Sequence, residues 1–231
     1  KYDGVSTLAQ TLGSRNKTLQ KLILGSNSIT SIRDGFGVLF ETLEQSSHHI
    51  TDLDLRCNYN EDGGGVLLAR SFGHNALPKL TRLSLSYHRT IGDDGLIALV
   101  SALEQNKTLL HLDLRYNYAF SERAFLALAE SLPEINMLQR IDLSWCTGLA
   151  SAMPSLLAEL RNNTSLFRFH VANCAPSSVP PTPEETAKCA GGWMQEMERL
   201  GFQNRFRALI RAPTERRPPL GVWPHALARV A

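Results

Sequence analysis

LLHLDLRYN, at Leu109–Asn117, decides the fold. Its frame, L-x-x-L-x-L-x-x-[N/C/H], also occurs as LQKLILGSN from Leu19, ITDLDLRCN from Ile50, LTRLSLSYH from Leu80, LQRIDLSWC from Leu138 and LFRFHVANC from Leu166. Successive starts are 31, 30, 29, 29 and 28 residues apart, so one unit is written six times. Side chains alternate faces along a strand, which points Leu112 and Leu114 inward and His111, Asp113 and Arg115 outward. A single unit of this size cannot bury its own leucines. Neighbours must stack, with parallel strands forming a continuous sheet over a shared core.

The stretches between frames carry helical periodicity. Leu96, Leu99 and Leu103 fall at i, i+3 and i+7, as do Phe125, Leu128 and Leu132, giving one apolar stripe each. The opening DGVSTLAQTL followed by NKTL matches DGLIALVSAL followed by NKTL at Asp94–Leu109, so the chain begins inside a further repeat's helix. On these six frames the sequence resembles a leucine-rich repeat protein over residues 1–175. The 28–29-residue period with long helices resembles the ribonuclease-inhibitor-like subclass. That resemblance implies an α/β solenoid, a horseshoe with parallel strands on the concave face and helices on the convex face, that binds another protein. The end of the chain, with NRFRALIRAP and GVWPHALARV, is similar to tails of diatom leucine-rich repeat proteins.

After Cys174 the frame stops. Residues 176–183 form a Pro-rich connector, and residues 184–231 are expected to form a helical C-terminal cap with a basic extension, because an open solenoid exposes its last apolar face. From Arg199 onward seven Arg stand against one acid, Glu215, or +6. With a net charge of +2 for the whole chain, the residues before Arg199 carry −4.

The ninth frame position is Asn27, Asn58 and Asn117, with His88, Cys146 and Cys174 in the same slot. The amides are expected to turn inward and satisfy free backbone groups of the turn, and the thiols to fill the slot as small, weak hydrogen-bonding groups.

Outward positions align into lanes across the sheet, with strands ~4.8 Å apart. The third position is Lys21, Asp52, Arg82, His111, Arg140 and Arg168; the fifth is Ile23, Asp54, Ser84, Asp113, Asp142 and His170. Arg56 and Arg115 stand at the seventh, and Tyr87, Tyr116 and Trp145 at the eighth. An acidic lane flanked by arginines, with aromatics at its edge, has the composition of a protein interface. The expected contact residues are Arg82, Tyr87, His111, Asp113, Arg115, Tyr116, Arg140, Asp142 and Trp145. The frame itself requires none of the outward Asp and Arg. A plainer alternative is that the acids pair with adjacent arginines and that the aromatics cover the bend after each strand.

Chemistry of other kinds is disfavoured. Ser84, His111 and Asp113 have no nucleophile elbow or oxyanion loop around them, and the histidines and cysteines have no metal-ligand spacing, so no catalytic residue, metal site or cofactor is expected. The glycines of EDGGGV at Glu61–Val66 lack the ending of a phosphate loop and align with GDDG at Gly92–Gly95, as flexible turns before helices. The sequons at Asn16, Asn106 and Asn162 share one repeat phase, where Asn suits the end of a helix.

No apolar run approaches the ~20 residues of a membrane span. Four cysteines without paired spacing point to a reducing, intracellular and cytoplasmic setting. The expected function is a non-catalytic module binding a protein or peptide, with nucleic acid disfavoured by the acidic body. Alternatives are a GTPase-activating or other regulatory repeat protein, or the repeat sensor arm of a larger receptor.

Overall fold

The computed structural model describes residues 2–172 apart from residues 17, 28, 30–34, 46–48, 59–63, 74–76 and 89–90. Helices and strands alternate along the chain: α1 (Tyr2–Arg15), β1 (Lys21–Ile23), α2 (Phe36–Gln45), β2 (Asp52–Asp54), α3 (Gly64–Gly73), β3 (Arg82–Ser84), α4 (Asp93–Gln105), β4 (His111–Asp113), α5 (Glu122–Ser131), β5 (Arg140–Asp142), α6 (Leu149–Leu160) and β6 (Arg168–His170). The strands form one open parallel sheet in sequence order. Each strand is frame positions three to five, and register pairs like with like, as in His111 with Arg140 and Asp113 with Asp142. The expected connector at 176–183, cap at 184–231 and tail resemblance lie outside the described residues, as does Cys174.

The core is the frame's apolar set. Ile50, Leu53 and Leu55, then Leu80, Leu83 and Leu85, then Leu109, Leu112 and Leu114 are all buried, and the helical stripes of α4 and α5 close over them. Burial of each such side chain contributes ~1.5–3 kcal/mol, which is what an isolated unit lacks and a stack supplies.

The ninth-position expectation holds for the interior repeats. Asn58 Nδ2 donates to Leu24 O and Leu55 O, and its Oδ1 accepts from the Asn27 and Ile29 N–H groups. Asn117 Nδ2 donates to Leu85 O and Leu114 O while its Oδ1 accepts the His88 N–H. Each amide thus ties its own turn to the preceding one. His88 and Cys146 do half of this task, through Nε2 to Leu55 O and through the thiol to Leu114 O. Asn27 departs from the expectation: its side chain is exposed, and its Nδ2 donates to Gly25 O, two residues back in its own turn.

Two further expectations need correction. Gly64 and Gly65 lie inside α3, not in a flexible turn, and Gly65 meets Gly95 of α4 backbone to backbone. A Cβ at Gly65 would stand 2.7 Å from the Gly95 Cα and 3.1 Å from the Ile91 Cγ2. Gly65→Ala is therefore expected to destabilise by ~1–3 kcal/mol, although Ala normally favours a helix over Gly by up to ~1 kcal/mol. A urea midpoint equal to or above the parent's would contradict this close approach. The second correction concerns the sequons, which are not all in phase. Asn16 and Asn106 each accept from the N–H groups two and three residues on, but in the last repeat Asn163 does so, not Asn162. The asparagine serves as a side-chain turn into the next strand; the Asn106 backbone is extended rather than left-handed.

Candidate functional site

Three bands run across the concave face, each built by one frame position. Position three sets Lys21, Asp52, Arg82, His111, Arg140 and Arg168 side by side along the sheet. Position five follows as Asp54, Ser84, Asp113 and Asp142, and these residues with Lys21, Asp52, Arg82, His111, Arg140, Arg115 and His170 line a trough of about 430 Å³.

The carboxylates of position five also bond to the backbone, although Ile23, Ser84 and His170 hold the same position in other strands. Asp54, Asp113 and Asp142 each accept the backbone N–H two residues on, from Arg56, Arg115 and Ser144. Their remaining oxygens meet arginines. Arg56 pairs with Asp54 at 3.1 Å, and Arg115 holds Asp113 at 2.9 Å and Asp142 at 3.6 Å. In the neighbouring lane Arg82 pairs with Asp52. Burial acts to raise the Asp113 carboxyl, but the Arg115 side chain and backbone N–H, with help from Ser84, outweigh it and hold it below its ordinary value. Exposed pairs of this kind contribute only ~0–1 kcal/mol each. Their larger effect is to use up negative charge.

Position eight holds the third band. The residues there, Ser26, Cys57, Tyr87, Tyr116 and Trp145, all have positive φ, between 53° and 62°. Each is held so by its N–H, which donates to the seventh-position carbonyl of the following repeat, as Tyr87 does to Arg115 and Tyr116 to Ser144. Bulky side chains are unusual in left-handed backbone, and the fold accepts Ser or Cys at the same place. In three consecutive repeats the position is aromatic and the rings stack. Tyr87 and Tyr116 have centroids 4.1 Å apart, Tyr116 and Trp145 5.4 Å apart, with 13° between planes in both pairs. Tyr87 is 45% exposed and Trp145 37%. A second cleft, lined by Ile23, Arg56, Cys57, Tyr87, Arg115 and Tyr116 among others, opens where the ring ladder steps down to Cys57.

All nine expected contact residues lie on this face. Tyr87, Tyr116 and Trp145 form the ladder, Asp113, Arg115 and Asp142 form one ion cluster, and Arg82 and Arg140 flank His111. The His111 imidazole is held below its ordinary pKa by burial first and by Arg140 and Arg82 next. Asp52 and Lys21 line the same trough, Arg168 stands in register beside Arg140, and none of the three was among the nine; their position-three register is the signal that finds them. Ser84 does reach Asp113, at 3.3 Å, but within an open sheet. Among the described residues no three His, Cys, Asp or Glu are placed to hold a metal ion, and no helix is long and apolar enough to cross a membrane.

The Leucine Rich repeat family profile matches residues 76–100. NACHT, LRR and PYD domains-containing protein 14 of Mus musculus is 34% identical over 175 residues, covering 74% of this chain and 17% of its own length. The chain thus spans about a sixth of that relative. Among solved structures, the tropomodulin C-terminal domain from Caenorhabditis elegans aligns at 14% identity with a TM-score of 0.49, over 90% of this chain and 99% of that one. Leiomodin-1 actin-binding site 2 aligns at 14% identity with a TM-score of 0.44, over 89% and 95%. With six frames in register on one open parallel sheet and helices closing the other side, the described part of this chain is a leucine-rich repeat solenoid.

Proposed function

We propose that this chain is a non-catalytic interaction module, of the ribonuclease-inhibitor-like kind, that holds a protein or peptide on its concave face. The Tyr87–Tyr116–Trp145 ladder is the observation that carries the reading. The frame tolerates Ser26 and Cys57 at the same left-handed position, so nothing in folding selects three stacked rings there, the outer two of them exposed. Stacked rings lose little side-chain entropy when a partner covers them, and rigid presentation lowers the ordering cost of association. Arg115, fixed between two carboxylates beside the ladder, adds a preset planar donor.

The test is affinity capture with Arg115→Glu/Trp145→Ala against the parent. Loss of an indole anchor is expected to weaken partner binding by ~2 kcal/mol or more, about 30-fold, while circular dichroism and melting temperature stay near the parent's. Equal recovery of the partner by both proteins would remove this surface from consideration. A second reading, the repeat arm of a larger receptor, is favoured by the 34% identity to a relative whose name pairs such repeats with NACHT and PYD domains. Sequencing the transcript across both ends of this segment separates the two; a reading frame without a nucleotide-binding region would exclude the receptor.

A further inference from the structure

The concave face contains four carboxylates, Asp52, Asp54, Asp113 and Asp142, and six cations, Lys21, Arg56, Arg82, Arg115, Arg140 and Arg168. Every carboxylate has an arginine of the chain within 4 Å, from Arg56, Arg82 or Arg115. Among the described residues no carboxylate stands that close to Lys21, Arg140 or Arg168, and the Arg140 Nε, shut off from solvent, has no acceptor. The face that looks mixed in sequence therefore offers its surplus as positive charge, concentrated in the position-three lane at the adjacent Arg140 and Arg168. The depressed His111 within that lane, lowered by burial and then by Arg140, Arg82 and Arg168, reports the same field.

We infer that the concave face takes an acidic peptide segment, its carboxylates lying along Arg140 and Arg168. This inference rests on the concave-face reading above and specifies the partner's chemistry. Three considerations select a peptide. A nucleic acid carries phosphate charge at every unit and would lie over Asp113 and Asp142, which floor the trough next to the cationic lane. A flat bilayer cannot enter a concave sheet. The chain's own C-terminal segment, with seven Arg and one Glu from Arg199 onward, has the wrong sign. A peptide can place its carboxylates over position three and neutral groups over position five.

The experiment is fluorescence anisotropy of the full chain with a short fluorescein-labelled peptide of alternating Glu and Gly, and a matched Gln/Gly peptide, at about 150 mM salt. The Glu peptide is expected to bind at least about tenfold more tightly than the Gln peptide. Arg140→Gln/Arg168→Gln is expected to remove that preference, and Arg205→Gln/Arg207→Gln in the basic segment to leave it intact. Equal binding of the two peptides, loss through the Arg205/Arg207 variant instead, or tighter binding of short single-stranded DNA with the same dependence on Arg140 and Arg168 would each overturn the inference. Neither variant touches Arg115 or Trp145. If the Glu peptide fails to bind while Arg115→Glu/Trp145→Ala still loses a captured partner, the acidic assignment alone is wrong. Glu-peptide binding that depends on Arg140 and Arg168 supports the assignment even where capture survives the ladder variant, an outcome that would sink the ladder reading.

Discussion

Replacing Asn117 by Ala is expected to cost ~3–5 kcal/mol, because three buried polar groups lose their partners at once. The amide donates to Leu85 O at 3.0 Å and Leu114 O at 2.7 Å, and accepts the His88 N–H at 2.9 Å, in a position closed to water. Each group left unsatisfied costs ~1–3 kcal/mol, and partial entry of water explains why the sum stays below the upper bound. Against a native stability of ~5–15 kcal/mol this is a large fraction. Asn117→Asp should be worse still, since it turns a carboxylate toward two carbonyl oxygens that need donors. Asn117→Cys should fall between, as Cys146 already makes one such bond to Leu114 O from the next repeat. Asn27→Ala supplies the control: the same letter in the same frame, but exposed, should change stability by no more than ~0.5 kcal/mol. Urea denaturation reads all four, with a midpoint at least ~1 M lower for Asn117→Ala. Similar midpoints for the Asn117 and Asn27 variants would show that the amide ladder does not hold the repeats together.

That contrast marks how far the sequence carried the fold. Periodicity placed a strand in every frame, because a frame written six times averages out the ambiguity of any one short apolar run, although each strand proved to be only positions three to five. It placed the lanes for the same reason: parallel register follows from repeat alignment. Asn27 was misjudged because a letter in a frame says nothing about what stands behind it, and its side chain stays exposed, turned to Gly25 O of its own turn. Gly65 was misjudged because glycine before a helix signals a turn just as well as it signals close approach, and only the pairing of α3 with α4 distinguishes them. The acidic lane was half legible. Spacing put Asp113 outward, but not its second role in accepting the Arg115 N–H, which depends on the tight bend that each strand makes. That bend was itself hidden, since Tyr, Trp, Cys and Ser are not the residues that announce a positive φ. The ring stacking follows once the bend is known, because identical backbone at successive repeats sets the side chains in parallel.

Stability should fall as pH drops from 6.5 toward 4, and His88 should account for most of the fall. Leu55 O can only accept, so Nε2 at 2.6 Å must carry the proton, and the buried Nδ1 is then a bare acceptor with no donor among the described residues. Protonating Nδ1 would bury a charge and an unpaired N–H together. Burial accordingly pushes the imidazole down from its ordinary 6.5 to about 4, against the opposing bond to Leu55 O. A histidine whose folded pKa lies below its unfolded one takes up its proton first in the unfolded chain. Its contribution is intact above pH 6.5, declines between 6.5 and 4, and is fully lost below, a fall of ~3 kcal/mol at ~1.4 kcal/mol per pH unit. Asp52, Asp93 and Asp113, also held below their ordinary value of 3.8, lose their contributions only at lower pH, so the windows separate. The histidine performs half of the task that asparagine performs in the same slot, so His88→Asn should keep the turn and remove the titration. The readout is the slope of unfolding free energy between pH 6.5 and 4.5, not its absolute value, since the smaller amide leaves room beside Phe36, whose ring centroid is 6.3 Å from the imidazole. A shallower slope from His111 should remain in the variant, as that imidazole is also depressed. An unchanged slope in His88→Asn would place the acid sensitivity elsewhere and leave the interior histidine as no more than a filler of the asparagine slot.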